Sequence, residues 1–208
     1  FDAVILDFGG VLTTPLQDAF VSFAVQNGID LQDLVRAALK AYAGESDSLV
    51  VDLETGRMPE EEFGREFAGR LQDETGTEID PDGIVDRLFA GMRLEQAMFD
   101  AVEMMHGAGY KTALLSNSWS LTHYPRQQLD PLFDFVVISG EVGLRKPDPK
   151  IYELTTSKLG VESSRCVFVD DHPGHLQAAL EIGMTTVLHR SPTETLSELS
   201  GLLEIALS

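Results

Sequence analysis

The sequence predicts an α/β protein whose mostly parallel sheet is interrupted by a helical insertion. From about residue 94 onward, short apolar runs alternate with helical patterns, which is typical of a parallel sheet covered by helices on both faces. From about residue 16 to residue 92 the pattern is helical, without obvious strands. We therefore expect a Rossmann-like, doubly wound core domain made of residues 1–14 and 93–208, and a helical domain inserted at residues 15–92.

The predicted strands are short and strongly apolar. The first, Ala3–Leu6, ends at a carboxylate and two glycines, as expected of a buried strand that opens into a loop at the ligand-binding edge of a sheet. Further strands are predicted at residues 110–115, 133–139, 165–169 and 185–188. Helices are predicted around them at residues 96–106, 149–159, 176–182 and 191–207.

The helices of the insertion are predicted from capping residues and from apolar residues at helical spacing. Gly28 is placed to end a first helix, and Asp30 can cap the second. A third helix should begin near Pro59, where acidic residues fill the first turn, and a fourth near Asp80. The residues expected on their buried faces are Phe20, Phe23, Ala24, Leu31, Leu34, Val35, Ala38, Leu39, Phe63, Phe67, Leu71, Ile84, Val85, Leu88 and Phe89.

The chain is strongly acidic. Its 208 residues carry 34 acidic and 15 basic side chains, a formal net charge of −19. Such a surface repels phosphate backbones and anionic lipids, so we expect neither nucleic acid nor a membrane as a partner. No apolar run approaches the ~20 residues that span a bilayer, and we expect a cytoplasmic protein. The single cysteine, Cys166, lies in an apolar run and is expected to be a buried structural thiol.

Polar side chains stand at the ends of three predicted strands. Asp7 follows the first strand, Ser116-Asn117 follows the second, and Asp170-Asp171 follows the fourth. In open α/β sheets, ligands bind just outside the carboxyl ends of the strands. Carboxylates are oxygen ligands of the kind that Mg²⁺ takes, and a serine hydroxyl can donate to phosphate oxygens.

A lysine between these motifs adds a positive charge. Lys146 lies in a stiff loop, Gly143-Leu144-Arg145-Lys146-Pro147-Asp148-Pro149, and can contact the same phosphate oxygens. Each feature alone has an ordinary structural explanation, namely a Ser-Asn turn, a solvated Lys-Pro loop and an Asp-Asp helix cap. Their combination, in this order and at strand ends, favours a phosphate site.

Together these motifs resemble those of the haloacid dehalogenase superfamily of phosphotransferases, over essentially the whole chain. The four motifs of the family are matched by residues 7–13, 114–117, 143–152 and 167–184. The insertion between the first two motifs is similar to the helical C1-type cap of this family. The most similar branch contains the phosphatase domain of mammalian soluble epoxide hydrolase and bacterial sugar-phosphate phosphatases.

The resemblance implies a nucleophile and a metal site. Asp7 would be the catalytic nucleophile and would form an aspartyl-phosphate intermediate. Mg²⁺ would be held by Asp7, by the carbonyl group of Gly9 and by Asp171, with Asp170 as a neighbouring ligand or supporting partner.

The resemblance also implies a phosphate-binding set. Ser116, the backbone of Asn117 and Lys146 would hold the phosphoryl oxygens, and Lys146 would also assist catalysis by keeping Asp7 ionised. His175 stands where relatives often have Asp or Asn, so it could orient the acidic loop. A solvated histidine at a helix start explains it equally well.

One position departs from the pattern of the family's phosphatases. These enzymes usually carry a second aspartate two residues after the nucleophile, which protonates the leaving group and then activates water. In this chain that position is Gly9. General acid–base help is worth about 10²–10⁴-fold, so the reaction is expected to be slow, to use a good leaving group or to take its acid from elsewhere. The candidates for a substitute acid are Thr13, His123, His172 and residues of the cap.

Three functions follow from these observations. The first is a Mg²⁺-dependent phosphatase acting on a small phosphorylated metabolite, as a monomer or homodimer. The second is a 2-haloacid dehalogenase in which Asp7 attacks carbon; such relatives also lack the second aspartate, but they lack the paired acids Asp170-Asp171 as well. The third is a non-catalytic regulatory protein on the same scaffold, although such a protein could lose Asp7.

Overall fold

The computed structural model describes residues 1–42 and 48–207 and contains one five-stranded sheet. The strands are β1 (Ala3–Leu6), β2 (Lys111–Ser116), β3 (Phe135–Ile138), β4 (Cys166–Asp170) and β5 (Thr185–Leu188). They pair in the order β3-β2-β1-β4-β5, and every pair is parallel. The predicted doubly wound sheet is confirmed.

The first strand occupies the centre of the sheet. Ile5 pairs with Ala113 of β2 on one side and with Phe168 of β4 on the other. All four residues of β1 are fully buried, because helices cover both faces of the sheet. The loop that follows β1 therefore emerges from the middle of the carboxyl edge.

Helices between β1 and β2 form the insertion. Within the described residues they are α1 (Leu16–Asn27), α2 (Leu31–Tyr42), α3 (Leu49–Glu54), α4 (Glu60–Thr75) and α5 (Ile84–Phe89). Their apolar side chains form a cluster distinct from the two clusters that cover the sheet. Gly28 ends α1 with φ 65°, and the Asp30 carboxylate accepts a hydrogen bond from the backbone of Gln32, as predicted for a cap.

The buried face of α2 differs from the predicted one. Val35 and Leu39 are 39% and 63% exposed, so their assignment to the core is wrong. The buried residues of α2 are Leu34, Ala37, Ala38 and Ala41. Small alanines at this spacing let α2 approach its neighbours closely, which turns the larger side chains towards solvent.

The helices of the core cover the two faces of the sheet. They are α6 (Gln96–Gly107), α7 (Arg126–Leu129), α8 (Ser139–Val142), α9 (Pro149–Leu159), α10 (Pro173–Glu181) and α11 (Pro192–Leu203), with a 3₁₀ turn at Ser163–Arg165. Residues of α6 and α11 pack in one cluster with Val4 and Leu6, and residues of α9 and α10 pack in another with Ile5. No helix in the described part of the chain has both the length and the apolar character that a bilayer crossing requires.

The two segments that join the insertion to the core lie side by side. The backbone N–H of Thr14 donates to the carbonyl oxygen of Arg93 at 2.8 Å, and the N–H of Arg93 donates to the hydroxyl of Thr14 at 3.1 Å. Two residues along each segment, on the core side, the N–H of Glu95 donates to the carbonyl oxygen of Leu12 at 2.9 Å. The chain thus passes between core and insertion through one hydrogen-bonded pair of adjacent segments.

Candidate active site

The loop after β1 places Asp7 at the carboxyl edge of the sheet. Asp7 is 7% exposed, and its Oδ1 accepts a hydrogen bond from the N–H of Phe8 at 2.7 Å. Gly10 has φ +75°, and a Cβ there would lie 2.3 Å from Oδ2 of Asp171. Only glycine therefore allows the Asp171 carboxylate to lie against this loop. Gly9 has no positive φ and would have open space around a Cβ.

The amine of Lys146 bridges two of the predicted site residues. Its Nζ atom is fully buried and lies 2.8 Å from Oδ1 of Asp7 and 2.6 Å from Oδ2 of Asp170. The side chain of Asn117 holds the lysine backbone at both ends, accepting from its N–H at 2.8 Å and donating to its carbonyl oxygen at 3.0 Å. The sequence predicts a role for the backbone of Asn117, whereas this use of its amide is visible only in the structure.

The fourth motif brings a histidine to the same place. Nδ1 of His175 lies 3.1 Å from both carboxylate oxygens of Asp170. Burial lowers the pKa of His175, which favours the neutral ring, so its Nδ1–H can donate to the carboxylate. His175 thus lies against the acidic loop, which is the contact that an orienting role requires.

The charges of the site do not balance. Burial raises the pKa of Asp7 above its ordinary value; Lys146 opposes this shift, and Asp170 and Asp171 add to it. Burial alone would raise the pKa of Asp170, but Lys146 and His175 hold it well below its usual range. Partial desolvation of its carboxyl group and the charge of Asp170 raise the pKa of Asp171, although the residue as a whole is exposed. Three carboxylates thus share one ammonium group, and a bound cation would stabilise their ionised forms.

A group of possible metal ligands lies at this site, and it differs from the predicted set of Asp7, Gly9 and Asp171. Ligand atoms of Asp7, Asp170 and His175 all lie within 4.8 Å of one another. The carboxylate of Asp171 lies against Gly10, next to the predicted carbonyl ligand at Gly9. Carboxylate and carbonyl oxygens are the ligands that Mg²⁺ prefers. The carboxylates of Asp7, Asp170 and the neighbouring Asp171 therefore fit Mg²⁺, whereas the imidazole of His175 is not a ligand that Mg²⁺ prefers.

Ser116 lies at the end of β2 beside an aromatic pair. Its Oγ lies 2.9 Å from the hydroxyl of Tyr124, whose ring centroid is 4.9 Å from that of Phe8. Burial raises the pKa of Tyr124, so its hydroxyl stays protonated. The sequence pattern does not single out Tyr124, because its contact with Ser116 depends on the fold of the loop between them.

The candidate substitute acids occupy different surroundings. Thr13 is buried and accepts a hydrogen bond from the N–H of Gly10 at 3.1 Å. Nε2 of His123 lies 2.5 Å from Oδ1 of Asp86 on the insertion, at a cavity of about 130 Å³ that Phe8 and Thr13 also line. His172 caps α10 and is exposed.

Three residues at the junction of insertion and core could not be predicted from the sequence. Glu54 of α3 is buried, forms an ion pair with Arg145 and accepts a hydrogen bond from Nε1 of Trp119. The only available signals are that Trp119 is the single tryptophan and that Arg145 precedes Lys146. Their contacts join separate parts of the chain and leave no local pattern.

Comparison with known proteins decides the family. The sequence model of the haloacid dehalogenase-like hydrolase family matches residues 1–183 of this chain. The chain belongs to this hydrolase family. The resemblance carried by the four motifs is thereby confirmed.

Curated relatives of the family are longer than this chain. Acyl-CoA dehydrogenase family member 10 of Mus musculus is 31% identical over 98% of this chain and 19% of its own length. Bifunctional epoxide hydrolase 2 of Sus scrofa is 29% identical over 95% of this chain and 38% of its own length. The chain therefore spans less than two fifths of either protein. (S)-2-haloacid dehalogenase 4A of Burkholderia cepacia is 31% identical over 52% of this chain and 49% of its own.

A solved structure shows the same fold over nearly the whole chain. A family enzyme of Bacteroides thetaiotaomicron, crystallised in complex with magnesium and inorganic phosphate, superposes with a TM-score of 0.69. The likeness covers 96% of this chain and 98% of that one at 20% identity. At this identity it shows the fold alone.

Proposed function

We propose that the protein is a Mg²⁺-dependent phosphatase that hydrolyses a small phosphorylated metabolite through an aspartyl-phosphate on Asp7. The observation that carries this proposal is the buried amine of Lys146 between Asp7 and Asp170, in a site that holds more negative charge than this amine neutralises. Such a site suits a divalent cation together with a phosphoryl group.

The metal would be held by Asp7, the carbonyl group of Gly9 and Asp171. Asp170 contacts Lys146 and His175, so we assign it a supporting position beside these ligands. When bound, Mg²⁺ supplies positive charge that stabilises the phosphoryl oxygens and keeps the carboxylates ionised.

The chain's own residues then carry the reaction. A carboxylate oxygen of Asp7 attacks phosphorus, and the bond from phosphorus to the leaving oxygen breaks. Lys146, Ser116 and the backbone of Asn117 hold the phosphoryl oxygens while charge moves onto the leaving group. Because Gly9 offers no acid, the leaving oxygen takes its proton from water or from another group. Water then hydrolyses the aspartyl-phosphate and restores Asp7.

The insertion is assigned the role of a cap over this site. We place the cap at residues 15–92 and the core at residues 1–14 and 93–208. The separate apolar cluster of the insertion and its attachment through Thr14 and Arg93 support this division. A cap of this kind would exclude water while Asp7 attacks, and the two joining segments would be its hinge.

The comparisons bear on the choice between two chemistries. The fold that the chain shares with the Bacteroides enzyme, which was crystallised with magnesium and inorganic phosphate, is compatible with a phosphatase. The dehalogenase of Burkholderia cepacia keeps a second candidate open, and the absence of a side-chain acid at Gly9 favours that reading. The adjacent acids Asp170 and Asp171 favour the phosphatase instead, because carbon–halogen cleavage by an aspartate does not need a metal.

The proposal also covers the kind of molecule that the protein binds. A net charge of −19 makes nucleic acid and anionic lipid surfaces unfavourable, which leaves a small phosphorylated molecule drawn in locally by Lys146 and Mg²⁺. We propose that the protein acts in the cytoplasm as a monomer or homodimer.

Phosphate release from a panel of phosphorylated metabolites, measured with Mg²⁺ and with EDTA, tests the proposal. We expect release with Mg²⁺, none with EDTA and none from Asp7→Asn. Asp130→Asn, which changes an exposed carboxylate of the core, is the matched control and should keep activity. Release of chloride from 2-chloropropionate in EDTA, without phosphate release from any compound, would establish the dehalogenase instead.

A further inference from the structure

The backbones of the insertion and the core come into close contact just after the end of α3. A Cβ on Gly56 would lie 2.6 Å from the carbonyl oxygen of Gly140 in α8. A Cβ on Gly140 would lie 2.8 Å from Oγ of Ser118. Gly56 therefore permits an approach of insertion to core that a side chain would block, and Gly140 permits a close contact within the core. The approach at Gly56 places Glu54, the last residue of α3, against the core.

Glu54 is a buried carboxylate whose partners come from both sides of the junction. It is 2% exposed, and its Oε1 accepts hydrogen bonds from Nε1 of Trp119 and from the hydroxyl of Tyr42, both at 3.1 Å. Its Oε2 lies 2.6 Å from Nε of Arg145 without a well-directed hydrogen bond, so this contact is an ion pair. A carboxylate this buried is unfavourable unless a cation accompanies it, and Arg145 supplies that charge.

Trp119 lies in a core segment of the chain, but its side chain packs against residues of the insertion. It follows β2 by three residues, yet it is 8% exposed and packs edge-on against Phe63 at 5.3 Å and Phe89 at 5.6 Å. The hydrogen bond to Glu54 fixes the polar edge of its ring. The loop after β2 is therefore anchored in the insertion.

The two core segments that Glu54 contacts are the ones that position the catalytic lysine. Arg145 directly precedes Lys146, and Trp119 lies two residues after Asn117, whose amide holds the Lys146 backbone. We propose that Glu54 is a positioning residue: through Arg145 and Trp119 it aligns Lys146 with Asp7 while the insertion is docked on the core. For its effect on catalysis this inference rests on the proposed function.

Glu54→Gln tests the proposal with little change in shape. The amide keeps an acceptor for Trp119 but removes the charge that faces Arg145. We expect kcat to fall roughly tenfold or more with little change in KM, because a small misplacement of a catalytic group costs rate rather than ground-state binding. The matched control is Asp52→Asn on the same helix, whose carboxylate pairs with exposed Arg57 at 2.6 Å and should leave kcat unchanged.

A second variant separates positioning from stability. Glu54→Gln leaves the partly buried guanidinium of Arg145 without its counter-charge, and Glu54→Gln with Arg145→Met removes both charges. We expect the double variant to recover thermal stability while kcat stays low, since the link to Lys146 is still broken. If kcat recovers together with stability, Glu54 serves only the fold and the proposal is overturned.

Two further measurements test the link from Glu54 to Lys146 without an enzymatic assay. Because Trp119 is the single tryptophan, its emission reports this junction alone. In Glu54→Gln we expect a red shift of that emission and faster amide hydrogen exchange at Arg145 and Lys146, with neither change in Asp52→Asn. Unchanged exchange at Lys146 would overturn the proposal. If exchange changes but the unmutated protein releases phosphate from no compound, the proposed function fails and the physical link from Glu54 to Lys146 stands.

Discussion

The buried amine of Lys146 lies 2.8 Å from Oδ1 of Asp7 and joins the loop after β1 to the loop before α9. Burial alone would lower the pKa of Lys146, but Asp170 and Asp7 outweigh this effect and raise it, so the amine stays charged. The charged amine therefore stabilises the fold by joining these two loops, and it compensates the negative charge of the buried carboxylates.

Lys146→Met should damage both stability and activity. The variant leaves Asp7 and Asp170 buried without their cation, which should cost about 3–5 kcal/mol in the free energy of unfolding. Loss of the positive charge should lower kcat by about 10²–10³-fold. Urea unfolding and phosphate release measure the two effects. Lys146→Arg should not restore activity, because a planar guanidinium does not fit a fully buried amine site. Unchanged kcat in Lys146→Met would contradict the assignment.

The two glycines after Asp7 should respond in opposite ways. Gly9→Asp should fold normally, because Gly9 has no positive φ and a Cβ there meets no atom within 4 Å. It should raise turnover of alkyl phosphates about tenfold or more by supplying the missing acid.

Gly10→Ala should lower the free energy of unfolding by ~1–3 kcal/mol because of the φ of +75° at this position, and the added Cβ would also clash with Asp171. Steady-state kinetics tests Gly9→Asp, and thermal unfolding tests Gly10→Ala. Equal rates for alkyl and aryl phosphates in the unmutated protein would show that another residue already supplies the acid that Gly9 lacks.

Trp119→Ala should loosen the insertion. Truncating this buried ring removes its contacts with Phe63 and Phe89 and should cost about 3–5 kcal/mol in the free energy of unfolding. Leu121→Ala in the same loop, where the side chain is 51% exposed, is the matched control and should change stability by about 0.5 kcal/mol or less. Equal effects in the two variants would show that Trp119 does not anchor the loop.

Cys166 should be unreactive in the folded protein. Burial raises the pKa of its thiol to about 11, and the side chain has no exposed surface. At pH 8 the thiolate is then roughly one part in a thousand, and access is blocked as well. We expect no reaction with a disulfide reagent in native buffer and complete reaction in urea. Rapid labelling of the native protein would show that the strand carrying Cys166 opens readily.

Local patterns were sufficient to predict the central strand and the positions of Asp7, Lys146 and Asp170. Each of these residues follows a buried apolar run or lies in a loop stiffened by proline, and parallel strands bring such ends to one edge. The outward turn of Leu39 could not be predicted, because which side of α2 packs inward depends on its neighbours in the fold. The pair formed by Glu54 and Arg145 could not be predicted for the same reason.

The most direct test of the central claim is the covalent state of Asp7 during turnover. The protein is mixed with p-nitrophenyl phosphate in Mg²⁺ or in EDTA, quenched in acid within one turnover, and its peptides are examined by mass spectrometry. We predict a phosphorylated peptide that contains Asp7 in Mg²⁺, none in EDTA and none in Asp7→Asn. Phosphate release without any label on Asp7, or labelling that persists in EDTA, would contradict the account.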